Sequence, residues 1–310
     1  MPVSTGLAFA VTSAFCFGLA GATAAAMFDA GWSAGAAVAM RVSLGALVLA
    51  APALLALRGR WPAVRRQARP LLTYGILAVA GAQLCYFYAV SYLPVGVALL
   101  IEYTSPVGVV VWMWARHRQQ PTRLTLVGGT IALVGLALLI DVFGTDMSLD
   151  PRGVAWALAA MVGATAYFVI SGHGESGIPP VALAWFGLTG AAVTIGAVGL
   201  TGAVPLHAAT SDVTYRGISV PWVLPVVILG VVTAALAYLT GIAGVRRLGA
   251  RLGSFIGLTE VLAAVLFAWL LLAELPTPVQ WLGGALVLGG VVVVKWGEPA
   301  DPTEAALPPV

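Results

Sequence analysis

Ala89-Val90-Ser91-Tyr92-Leu93-Pro94, then Ile101-Glu102-Tyr103-Thr104-Ser105-Pro106-Val107, then Pro121-Thr122 and Gly128-Gly129, form a series that the chain repeats. The second copy reads Ala243-Gly244-Val245-Arg246-Arg247-Leu248, Gly257-Leu258-Thr259-Glu260-Val261, Pro276-Thr277 and Gly283-Gly284. The offset is 154 residues at the first two landmarks and 155 at the last two, so one single-residue indel keeps the register. Gly6-Leu7-Ala8-Phe9-Ala10 against Gly153-Val154-Ala155-Trp156-Ala157 carries the echo back to the start of each copy. The sequence therefore predicts two related halves, 1–151 and 152–297, followed by a short tail, 298–310. That tail, rich in proline and acidic residues, reads as disordered and cytoplasmic.

With 310 residues, 60% of them hydrophobic and 9% charged, the chain departs from soluble domains, of which about 25% is charged. Its apolar stretches recur at the roughly 20 residues that a helix needs to cross hydrocarbon. Ten are read: 5–28, 34–57, 70–92, 95–115, 123–143, 152–171, 180–202, 221–245, 249–273 and 277–296. Strands of a membrane barrel would alternate apolar and polar residues, whereas these runs are apolar on both faces, and helices satisfy their own backbone in lipid. The expected fold is an all-α integral membrane protein with ten transmembrane helices in two five-helix repeats. Five is odd, so the second repeat enters from the opposite side and the topology is inverted.

The arginines orient it, because cytoplasmic loops retain Lys and Arg. Arg58, Arg60, Arg65, Arg66, Arg69, Arg116, Arg118, Arg123, Arg246, Arg247, Arg251 and Lys295, 12 of the 15 basic residues, fall on one side of these spans. Arg152 and Arg216 fall on the other, with Asp29, Asp141, Asp146, Asp150, Asp212 and Glu274, and Arg41 lies within a span. Both termini are then cytoplasmic, in a cytoplasmic (inner) membrane. The net charge of +3 is this bias spread over four segments, not a nucleic-acid footprint. Met1 to Asp29 lacks the basic n-region of a signal peptide and reads as the first span. Cys16 and Cys85 lie inside spans and read as packing residues, without metal-ligand neighbours. No cofactor or metal is called for.

Inverted repeats are a common construction of secondary transporters, with substrate bound near mid-membrane between the halves. Leu93-Pro94-Val95-Gly96-Val97-Ala98 with Ile101 to Val107, and Glu260-Val261 with Leu271-Leu272-Ala273-Glu274-Leu275-Pro276-Thr277 and Gly283-Gly284-Ala285-Leu286, resemble the two EamA domains of the drug/metabolite transporter superfamily. Met40-Arg41-Val42-Ser43-Leu44-Gly45-Ala46-Leu47 resembles that family's second-span signature. The resemblance covers about residues 5–296, and the surroundings of Glu102 look most like bacterial exporters of threonine, homoserine and related amino acids. It implies a ten-helix fold with a cavity lined by spans 1, 3, 4, 6, 8 and 9. One departure touches a predicted kink: Val261 follows Glu260 where the family often has proline.

Glu102 lies eight residues past Pro94 and Glu260 eleven past Gly249, about 12 and about 16 Å along their helices, so both are near mid-depth. Acidic residues there face a cavity or partner by default. They read as substrate-amine or proton carriers, or alternatively as protonated groups holding helices together. Thr104, Ser105 and Thr259 flank them, with a helix-backbone role weighed against a polar lining. Gln83, Tyr86 and Phe87 form a polar-aromatic stripe that suits an amino-acid-sized ligand and suits helix packing equally. Trp156, Tyr167 and Tyr238 fall on spans that the resemblance places at the cavity, with Trp156 near the boundary where aromatics anchor. Arg41 could receive a substrate carboxylate, though local pairing or snorkelling is favoured. Gly249, Gly253 and Gly257 form a small-residue series along span 9.

An intramembrane enzyme would need a reactive cluster, but His117, His173 and His207 fall in loops. A channel would need a charged ring or filter. Carriers of phosphorylated substrates need cationic cavities, and Arg41 is the single intramembrane base. The expected function is a transporter, not an enzyme: an exporter of amino acids or similar small metabolites by alternating access, with proton coupling, a small-molecule substrate and the lipid bilayer as its partners. Efflux of amphipathic or cationic drugs is the alternative.

Overall fold

The structure is a computed structural model and describes residues 3–93, 95–140, 150–172 and 177–298. Its helices are α1 (Val3–Asp29), α2 (Ala34–Ala56), α3 (Ala68–Val90), α4 (Val95–Glu102 continued by Ser105–His117), α5 (Arg123–Leu139), α6 (Pro151–Gly172), α7 (Pro180–Leu200), α8 (Val223–Leu248), α9 (Ala250–Leu272) and α10 (Pro278–Gly297). Among the described residues, 9 helices are long and apolar enough to cross a membrane, and α5, at 17 residues, is shorter. The end of the expected fifth span, with Asp141 and Asp146, lies outside the described residues, as do Pro94, His173 and 299–310. A short surface helix, Trp61–Arg66, joins α2 to α3. A two-stranded hairpin, β1 (Val213–Tyr215) paired antiparallel with β2 (Ile218–Val220), lies between α7 and α8.

The helix ends gather into two groups. At one, Arg251 pairs with Glu298 at 3.2 Å and donates to the Gln119 carbonyl, Arg246 donates to the Ile178 carbonyl, and Gly6 abuts Arg247 and Leu248. At the other, Ser33 donates to the Pro205 carbonyl, Ser211 to that of Ala30 and Gln280 to that of Leu139. The first group collects the basic loops that the sequence placed on one side. Glu298, expected in the tail, is docked there with its side chain 14% exposed. The hairpin belongs to the second group, where Tyr215 Oη donates to the Thr23 carbonyl at 2.9 Å. Burial pushes that phenol up to about 12, so it remains a donor.

The duplication is visible in helix boundaries. Thr122 and Thr277, 155 residues apart, both cap their helices through the side chain, and Thr277 completes a capping box with Gln280. Arg118 and Ala273, again 155 apart, end α4 and α9 in the left-handed region at φ 59° and 63°. A non-glycine residue there is disfavoured by about 1 kcal/mol. Ala273→Gly is therefore expected to raise the thermal midpoint of the detergent-solubilised protein, and an unchanged or lower midpoint would mean that other contacts set that turn.

Packing pairs also recur. α5 and α10 meet backbone to backbone through Gly128, Gly135, Gly283 and Gly290, the small-residue route to helix association in lipid. α1 packs on α9 where Gly18 meets Ala263, and α6 packs on α4 where Gly108 meets Thr165. α2 meets α8 at Gly45 and Ala234, and α7 meets α3 at Gly190 and Gly75. Gly249, with φ 82°, is the one residue between α8 and α9. This corrects its expected place in a span-9 glycine series: it makes the turn, while Gly253 faces Val245 and Gly257 faces Phe168.

Candidate functional site

Two kinds of helix irregularity, each present once per half, shape a central cavity. α3 is π-helical over Tyr74–Gly81 and α8 over Ile228–Leu236, starting 154 residues apart. Such wide turns inside helices often mark functional sites, and they loosen the carbonyl ladder. In α3 the Val79 carbonyl accepts from Gln83 Nε2 at 3.3 Å, and in α8 the Thr233 carbonyl, 154 residues later, accepts from Arg41 Nη2 at 2.7 Å. Both donors line the cavity.

The second irregularity carries the acids. Helix α4 is interrupted at Tyr103–Thr104, where Pro106 has no N–H to give, and the amides of Thr104 and Val107 bond three residues back. Helix α9 is interrupted at Leu258, where the amides of Leu258 and Val261 do the same. The step thus forms without the proline that Val261 replaces. Thr104 Oγ1 donates to the Ile101 carbonyl at 2.6 Å, and Thr259 Oγ1 to the Ile256 carbonyl at 2.7 Å. Each hydroxyl satisfies a carbonyl at its own step. Glu102 precedes the step in α4 and Glu260 follows it in α9, which brings both into one cavity.

That cavity measures about 280 Å³. That is slightly below the 300–1,000 Å³ of drug-sized pockets. Its lining includes Ser13 and Phe17 of α1, Arg41 of α2, Gln83 and Tyr86 of α3, and Glu102, Tyr103 and Ser105 of α4. Helices α6, α8 and α9 contribute Tyr167, Phe168, Tyr238 and Glu260. Both carboxyls and the Tyr103 side chain thus face the same space. Tyr238 stands edge-on to Phe17, with centroids 5.0 Å apart, and to Tyr167 at 5.8 Å. Gly241 lets the Tyr167 hydroxyl and Ser13 approach each other over α8.

Of the residues singled out from sequence, Glu102, Glu260, Gln83, Tyr86, Ser105, Tyr167 and Tyr238 line this cavity. Two do not. Thr259 is buried and bonded to its own helix, and Trp156 is 39% exposed with its ring stacked on Tyr88 at 4.9 Å. Thr259 turns its hydroxyl back onto the Ile256 carbonyl, and Trp156 lies near the start of α6. The side chain of Phe87 is outside the described ones. Sequence reasoning missed Tyr103, Ser13 and Phe17, and it favoured a local role for Arg41, which in fact reaches the cavity from α2. The expected lining by spans 1, 3, 4, 6, 8 and 9 thus gains span 2.

The chain belongs to the EamA-like transporter family, which matches residues 4–141 and 151–296. It is an integral membrane transporter built from two copies of that domain. Among similar proteins, the threonine/homoserine exporter RhtA of Escherichia coli strain K12 is 28% identical over 267 residues, covering 84% of this chain and 79% of the exporter. The uncharacterized inner membrane transporter YicL of Salmonella typhimurium is 24% identical over 234 residues, 74% of either chain. The uncharacterized transporter YwfM of Bacillus subtilis is 26% identical, covering 75% of either chain. A crystal structure 21% identical in sequence superposes with a TM-score of 0.73 over 94% of this chain and 97% of that one, so the fold is shared.

Proposed function

We propose that this transporter exports amino acids or similarly small metabolites across the cytoplasmic membrane by proton-coupled alternating access between two inverted five-helix halves, with both termini cytoplasmic. The observation that carries this reading is the pairing of Glu102 and Glu260, held at related helix steps in one cavity of about 280 Å³. A cavity of this size suits an amino acid, and carboxyls inside a membrane protein mark proton or ion pathways. The exporter RhtA supports the substrate class, and the repeated helix steps and packing pairs support the two-fold relation. Within this reading, Gln83, Tyr86, Ser105, Tyr167 and Tyr238 line the substrate path, while Thr259 and Trp156 support it from outside.

Counterflow in proteoliposomes with labelled amino acids and organic cations tests the proposal. Accumulation of one or more amino acids is the expected result; accumulation of cations alone would move the function to drug efflux, the reading that the aromatic lining of Phe17, Tyr86, Tyr167 and Tyr238 favours. For orientation, Arg60→Cys should be protected from an impermeant thiol reagent outside the cell and Ser219→Cys labelled, since both positions are exposed. The reverse pattern would turn the molecule over.

A further inference from the structure

Acids alone do not account for the cavity's charge, because Arg41 faces it as well. A long basic side chain in lipid normally snorkels toward an interface. Arg41 instead reaches across to α8, where Nη2 donates to the Thr233 carbonyl at 2.7 Å and the guanidinium carbon stands 5.6 Å from the Phe17 ring centroid. Its Nε is buried without a hydrogen-bond partner. No carboxylate neutralises it by contact: the ion pair found among the described residues is Arg251 with Glu298, at the far helix ends. A guanidinium has five N–H donors in a planar fork, and the Thr233 carbonyl occupies one. The fork matches a carboxylate, which can accept two parallel bonds from it.

The cavity therefore presents a cation and two carboxyls to the same small space. An amine or organic cation would answer the acids but bring no acceptor to the remaining N–H donors of Arg41. A zwitterion satisfies both, its ammonium toward Glu102 or Glu260 and the unpartnered Gln83 Oε1, its carboxylate toward Arg41. With one of the two acids protonated, Arg41 and the other acid cancel, so a zwitterion enters without adding net charge to a low-dielectric site.

We infer that Arg41 binds the substrate carboxylate, and that the transported class is amino acids with both charges present, to the exclusion of amines and esters derived from them. This rests on the reading of the cavity as the substrate site. The test is ligand-induced thermal stabilisation of the purified protein, titrated with the twenty amino acids and, for each, its decarboxylation product and methyl ester. Loss of a charged hydrogen-bond pair should weaken binding by about 10- to 100-fold, so the binding amino acids should stabilise far more strongly than their amines or esters. Arg41→Gln should erase that difference, and Arg41→Lys should restore part of it.

Equal stabilisation by an amino acid and its amine would overturn the role of Arg41 while leaving the cavity as the binding site. Stabilisation by none of the compounds would overturn both this inference and the amino-acid reading beneath it. Arg41→Gln that lowers the unliganded midpoint but keeps the discrimination would reduce Arg41 to a clamp on Thr233. If that variant does not fold, the comparison of acid, amine and ester on the unaltered protein decides.

Discussion

Glu102→Gln is expected to abolish gradient-driven export while leaving the protein folded and its cavity intact. The substitution keeps the shape and hydrogen-bonding capacity of the side chain and removes its titration. A carboxyl that holds either a proton or a substrate ammonium lets each displace the other, which couples outward substrate movement to inward proton movement. Counterflow, which needs binding but no gradient, should survive in part, whereas uptake driven by an imposed pH step should fall to background. Glu260→Gln is the parallel measurement, since that carboxyl lines the same cavity. Full pH-driven transport by Glu102→Gln would sink the coupling role, and the same result at Glu260 would leave these two acids as structural groups.

The second large effect is expected away from the cavity, at two adjacent glycines. A Cβ added to Gly290 would lie 2.5 Å from the Ala132 amide nitrogen and the Gly128 carbonyl oxygen, while one added to Gly289 meets nothing within 4 Å. Backbone cannot step aside as a flexible side chain can, so Gly290→Val should force α5 and α10 apart at a cost of about 3 kcal/mol or more. Gly289→Val should leave the fold unharmed. The measurement is the yield and thermal midpoint of the monodisperse protein in detergent. Equal behaviour of the two variants would mean that the α5–α10 contact contributes little to stability.

Much of this architecture was legible because duplication is written in residues that have local jobs. Pro121-Thr122 and Pro276-Thr277 are helix starts, and Pro106 is a helix interruption, so their repetition reported structure directly. The acids stood out because charge in an apolar run is expensive. What escaped the reading was rotation about the helix axes. A π segment inserts extra residues into the turns of α3 and α8 and shifts which side chains face inward, and nothing in Tyr74–Gly81 or Ile228–Leu236 announces it. Arg41 reads as local from sequence because its partner, the Thr233 carbonyl, is 192 residues away and is brought to it by the packing of α2 on α8. Gly249 looked like one member of a glycine stripe because spacing does not reveal a positive φ. The break at Leu258 was not legible either, because it forms without the proline that would flag it.

The single-residue joint at Gly249 has a mechanical consequence. A long loop lets neighbouring helices tilt independently, like links of a chain; one residue makes α8 and α9 the two arms of a lever. A rotation of the Ala250–Gly257 segment of α9 therefore has no slack at the joint to disappear into before it reaches α8. Under the proposed alternating access, the compliance of this helix pair would lie inside the arms, at the step beside Leu258 and in the widened turns of Ile228–Leu236, and not in the joint between them.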